Sequence, residues 1–212
     1  MRLAPAMMNK TVMRPLALPV GLFIAAVIVL PPLDTMGREL FSAHMAQHLL
    51  LILVAAPLIA WSPPVHRIAT RLERGPLAAW VAAAVFAVLL LLWHLPATRT
   101  WASNSETIHG LEFASVLAAA AGFWRFAILP GKQGVGRGTS VLIVWLASLQ
   151  GALLSAVIMF APTQICTVYA GNPLSDQVLA GLLMCIPASI AYAGSSVHAL
   201  ALLFREGAGH AR

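Results

Sequence analysis

Two imidazoles one helical turn apart, His44 and His48, open a long apolar run, and Met45 stands between them. On a helix, positions i and i+4 share a face, so both rings lie on one side. Met45 is close enough to add a thioether to the same patch. Imidazole with thioether suits a soft or borderline metal, Cu(I) foremost. The residues that follow, Leu49 to Trp61, are almost wholly apolar, so the cluster enters a hydrophobic slab. Three further places carry chemistry. His94 stands in Trp93-His94-Leu95-Pro96, and His109 has Glu112 one turn on along the same helix face. Asp176-Gln177 follows Asn172-Pro173-Leu174-Ser175 at the start of the last apolar segment.

The elements that must position these residues are membrane helices. Of 212 residues, 60% are hydrophobic and 9% charged, against about a quarter charged in soluble domains. A helix needs roughly 20 apolar residues to cross a bilayer. The charge-poor stretches predict an all-α integral membrane protein, one domain over 1–212, with six spans near 15–33, 41–61, 77–95, 108–129, 140–161 and 177–203. Pro162 and the polar residues around Gly171 and Asn172 end the fifth. Pro15 and Pro19 shorten or bend the first, which reads as an uncleaved span because no small-residue cleavage site precedes Pro31-Pro32. Gly181 and Gly194 allow close packing of the sixth, and Pro187 is expected to kink it.

Eleven of the 13 Lys/Arg fall before span one or after spans two, four and six; the other connections hold only Arg38 and Arg99. That alternation places both termini in the cytoplasm. It also reads the net charge of +6 as topology, with no nucleic-acid partner implied. His44, His48, His94 and His109 then converge on the outer side of the membrane, from three helices. His66 falls in an inner loop, His198 near the inner end of span six, and His210 in a C-terminal tail.

Each of these residues has a plain structural reading as well. A lone interfacial His is commonly an amphipathic boundary residue, and Trp61, Trp93 and Trp101 fit an interfacial aromatic belt. Glu112 is a ligand, a carboxylate orienting His109, or an ion-pair partner for Arg99. Asp176 and Gln177 either cap a helix or face the histidine rim. Cys166 and Cys185 form no CxxC or CxC motif, which argues against thiolate delivery; Met159 and Met184, like Met45, could add soft ligands but are packing residues by default. Without a phosphate loop, nucleophile triad or paired carboxylates, nothing in the sequence points to an enzyme.

The run His44-Met45-Ala46-Gln47-His48-Leu49-Leu50-Leu51, followed by Ala56-Pro57-Leu58 and Pro63, resembles the signature of the multi-span cytochrome c oxidase assembly proteins called CtaG. So do Trp93-His94-Leu95-Pro96, His109 with Glu112, Phe123-Trp124, and Ser175-Asp176-Gln177 leading into Ala180-Gly181-Leu182-Leu183-Met184. The likeness spans about residues 40 to 190. Two positions depart from it: Phe113 stands where a second His often follows the acid, and Cys185 where an aromatic often follows the Met.

The resemblance implies a protein of the bacterial inner membrane that matures haem–copper oxidases, with oxidase subunits or their assembly intermediates as partners. It implies copper handling at the periplasmic rim. The expected ligands are His44, His48, His94, His109 and Met45, with Glu112, Asp176 and Gln177 orienting them or attracting the cation. Two alternatives stand beside this reading: a b-type cytochrome with haem between imidazoles of two spans, and a metal-free assembly scaffold.

Overall fold

The computed structural model describes residues 8–65, 76–128, 136–169 and 174–210, and among these every regular element is helical. Helix α1 (Met8–Ile28) runs through Pro15 and Pro19. The expected first span to residue 33 stops short, because Pro31 and Pro32 have no N–H to continue the ladder. After that break α2 (Leu33–Glu39) departs at 51° from Arg14–Ile28. Gln47 stitches the bend to the next helix, its Nε2 donating to the carbonyls of Ile28 (3.0 Å) and Leu33 (2.9 Å). Gly37 makes room for it: a Cβ there would stand 2.0 Å from Gln47 Oε1.

Helix α3 (Phe41–Trp61) contains a π turn over Leu51–Ala55. The sequence supplies the cause. Pro57 has no N–H for the Leu53 carbonyl and its ring presses on that turn, so the ladder widens just before it. Helix α4 (Pro76–Trp93) ends at His94, and Pro96 starts the short α5 (Pro96–Ser103), in a stretch whose sequence predicts only a connection. Three long helices complete the bundle: α6 (Glu106–Ile128), α7 (Arg137–Phe160) and α8 (Leu174–His210). Helix α8 continues through the residues expected to form a tail.

Four segments are long and apolar enough to cross a membrane: α3, α4, Gly138–Phe160 and Leu174–Ala201. Counted as one broken span, the bent pair α1–α2 makes a fifth. Helix α6 is the exception, because it carries Glu106, Glu112 and Arg125 within its 23 residues. It nevertheless packs centrally, against α3, α4, α5 and α7. The six apolar segments thus resolve into four apolar helices, a bent pair and one helix with buried charge.

Side chains such as Phe23, Leu77, Leu153, Phe160 and Phe204 point outward and are largely exposed, as lipid-facing residues are. The main core lies around Phe86, Phe123, Trp124 and Tyr192. A second cluster joins Phe41, Met45, Ile158, Tyr169 and Met184. Helices α7 and α8 lie along each other, and Gly181 permits that approach: a Cβ would stand 2.9 Å from Met159 Cβ and 3.0 Å from the Ser155 carbonyl. Gly194, read the same way from sequence, has open space beside it. His66, Asn172 and Pro173 lie outside the described residues.

Candidate metal centre

Glu112 is the hub. Its carboxylate is fully buried, a turn and a half into α6, where an isolated charge would be too costly to retain. Oε1 lies 3.1 Å from His44 Nε2 and 3.3 Å from His48 Nε2, and Oε2 accepts from Arg99 Nη1 at 2.6 Å. Helix α3 brings the two imidazoles as the i, i+4 spacing predicts, with ring centroids 4.5 Å apart. Arg99 comes from α5, where Pro96 at the first turn fixes the start. Only 2% of Arg99 is exposed, and its guanidinium carbon lies 5.9 Å over the Tyr169 ring.

The same Nη1 is 3.1 Å from His44 Nε2. A neutral Nε2 answers one neighbour at a time: with a proton it donates to Glu112, without one it accepts from Arg99.

His109 joins the cluster to the surface. Its Nε2 lies 2.8 Å from Asp34 Oδ1, and its Nδ1 is 3.6 Å from Glu112 Oε2. Asp34 in turn accepts from Arg38 Nε at 2.7 Å, and Arg38 Nη2 reaches Glu106 at 2.7 Å. An open groove of about 410 Å³ lined by Asp34, Arg38, Glu106 and His109 brings the exterior up to this chain of groups.

The expected site residues separate. His44 and His48 meet Glu112, and one ligand atom from each of the three lies within 4.8 Å of the others. His109 touches the cluster from its outer edge. His94 reaches it only through His48, with the two rings edge to face at 5.8 Å. Met45 turns away, into the apolar cluster with Met184.

Asp176 and Gln177 meet backbone rather than imidazole. Asp176 accepts from the amides of Phe41 (2.8 Å) and Ser42 (3.4 Å) and from the Ser42 hydroxyl, which satisfies the first donors of α3. Gln177 holds the 161–169 loop, accepting from Ile165 N–H at 2.8 Å and donating to the Thr163 carbonyl at 3.3 Å. Sequence reasoning weighed Arg99 only as a partner for Glu112 and passed over Asp34 and Tyr169. The signal for Arg99 was present: it and Arg38 are the two bases that the charge alternation leaves on the histidine side.

The donor set fits a metal ion. Among the described residues, His44 Nδ1, His94 Nε2 and His109 Nδ1 are sealed from the exterior without a hydrogen-bond partner. The same holds for both ring nitrogens of His48, whose Nε2 sits off hydrogen-bond geometry to Glu112. Each orphaned buried nitrogen costs roughly 1–3 kcal/mol, and a bound cation would recover that cost at the nitrogens it contacts. Two nitrogens and a carboxylate oxygen need small side-chain movements to reach the ~2 Å at which such ligands bind.

A family model described as cytochrome c oxidase caa3 assembly factor matches residues 2–206. No curated protein and no solved structure matches the chain.

Proposed function

The chain belongs to the cytochrome c oxidase caa3 assembly factor family, and from that premise we propose that it holds copper transiently and hands it to a haem–copper oxidase subunit. In this reading it is a non-enzymatic protein of the bacterial inner membrane. It has six spans and both termini in the cytoplasm, so the histidine end opens to the periplasm. His44, His48 and Glu112 are the ligands, with His109 at the entrance. Glu112 therefore acts as a ligand rather than only an orienting group. Three protein ligands leave a coordination position for exchange with the next carrier.

The observation that carries the proposal is the buried triad of donor atoms within 4.8 Å, in a chain of an oxidase-assembly family. The orphaned imidazole nitrogens support it.

A second reading has one observation in its favour. The Arg99–Glu112 pair balances the charge of the cluster without any metal, as a metal-free scaffold would require. Haem is the weaker alternative. The cavity beside His48 and His94 is about 30 Å³, the scale of an ion or a water and far below that of a macrocycle.

Metal analysis with an absorption spectrum on the detergent-purified full chain separates these readings. Copper that falls by about one ion per chain in His44→Ala/His48→Ala and is kept in His66→Ala is the expected result. Equal loss in both variants would overturn the ligand assignment. A Soret band would favour haem, and no metal after reconstitution with Cu(I) would favour the scaffold.

A further inference from the structure

A small cavity lies between α3, α4, α7 and α8, behind the Glu112 cluster, and its lining differs in kind from that cluster. Met45, His48, His94, Met184 and Tyr192 line it together with small and apolar residues, and no charged side chain is among them. Its volume is about 30 Å³, room for a single ion or water. Met45 is 2% exposed and Met184 9%, so both thioethers sit inside the bundle. They come from different helices, more than 130 positions apart in the chain.

His94 is oriented as a metal ligand is. Its Nδ1 lies 2.6 Å from the Leu90 carbonyl. A carbonyl only accepts, so Nδ1 carries the proton and Nε2 keeps its lone pair. That Nε2 is buried without a hydrogen-bond partner among the described residues. A backbone carbonyl fixing the tautomer through the other nitrogen is the usual support of a ligating imidazole. His44 and His109 are turned differently, each presenting Nε2 to a carboxylate.

We propose that this cavity is a Cu(I) site, with His94 Nε2 and the thioethers of Met45 and Met184 as ligands and His48 as the shared wall between it and the Glu112 cluster. The proposal rests on the copper reading above and divides the expected ligand set in two. Nitrogen and carboxylate oxygen at the groove side accept borderline ions. Imidazole with thioether in the apolar cavity selects a soft ion.

Charge selects in the same direction. The thioethers carry no charge, an imidazole ligates through an unprotonated nitrogen, and Glu112 is already paired with Arg99. The desolvation cost of an ion grows steeply with its charge, so a monovalent ion enters at far lower cost than Cu(II) or Zn(II). His48 borders both compartments: its Nε2 is 3.3 Å from Glu112 Oε1 and its ring is edge to face with His94. An ion can thus pass from the cluster to the cavity around one side chain.

The test is X-ray absorption at the copper edge on the full chain loaded with Cu(I) under reducing conditions, beside competitive titration against bicinchoninate. Sulfur scattering in the wild type is the expected result, and it needs no variant. Met45→Leu/Met184→Leu keeps the packing volume, so it should unfold at nearly the wild-type temperature. It should lose the sulfur signal and weaken Cu(I) binding by at least roughly tenfold, the low end for losing even an orienting partner. Copper bound through nitrogen and oxygen only, with unchanged affinity in the methionine variant, would overturn the cavity site and leave the Glu112 cluster standing. No retained Cu(I) in the wild type would overturn both.

Discussion

At the histidine end of the bundle, buried imidazole nitrogens outnumber the partners offered to them. Around Phe86, Phe123, Trp124 and Tyr192 the packing follows another rule. Rings stack there at 5.0 Å (Phe86–Phe123) and 5.7 Å (Trp124–Tyr192). Trp124 Nε1 donates at 2.6 Å to the Ile52 carbonyl in the π turn, and Ser140 Oγ donates at 2.8 Å to the Phe126 carbonyl. Both regions are built from α3, α4 and α6, so the difference is not one of scaffold. A region kept for stability would fill its space with apolar side chains, which are often as good as or better than a buried ion pair. The histidine end retains charge and orphaned lone pairs within the same helices, as the proposed metal site requires.

Substitutions at each end of the bundle, and at two glycines of α8, test that contrast. Glu112→Gln should have the largest effect, because it leaves the Arg99 guanidinium buried without its counter-charge. The expected cost is roughly 3–5 kcal/mol, read as a lower unfolding temperature in detergent. Adding Arg99→Gln should recover much of that loss. A silent Glu112→Gln would remove the ion pair from the account of this region.

Trp124→Phe strips the donor from the Ile52 carbonyl at the aromatic end and should cost about 1–3 kcal/mol. Copper affinity should stay unchanged, since the two regions bear different loads; a fall in affinity would show that the π turn couples them. The two glycines of α8 differ from each other, and Gly194 has the smallest expected effect. Gly181→Ala drives a Cβ against Met159 and should destabilise by about 1–3 kcal/mol. Gly194→Ala meets nothing within 4 Å and should be neutral or stabilising by up to ~1 kcal/mol. Equal shifts in the two melting curves would contradict the close α7–α8 contact.

Much of the bundle was legible beforehand, for reasons that can be named. Long charge-free runs made α3, α4, α7 and α8 readable, and the i, i+4 spacing put His44 and His48 on one face without any knowledge of neighbours. Pro31-Pro32 also announced its break, yet hydropathy counted straight through to Leu33. The short α5 was missed because eight residues carry too little periodicity, although Pro96 marked its start. Asp176 was read as facing the histidines or as a cap for its own helix. It caps α3 instead, a bond across 135 positions that no local pattern encodes.

Composition and segment length determined by themselves that this chain is helical and made for a membrane, because a bilayer tolerates little else. Residue types and local spacing likewise determined that imidazole, thioether and carboxylate gather toward one end. Only the tertiary structure decided which of them meet. Rotation of each helix about its axis turned Met45 into the apolar cluster with Met184, put Arg99 onto Glu112, and set His94 in the wall of a cavity. Those rotations follow from side chains packing between segments far apart in the chain. A linear pattern fixes a face relative to its own helix and carries no record of what that face will meet.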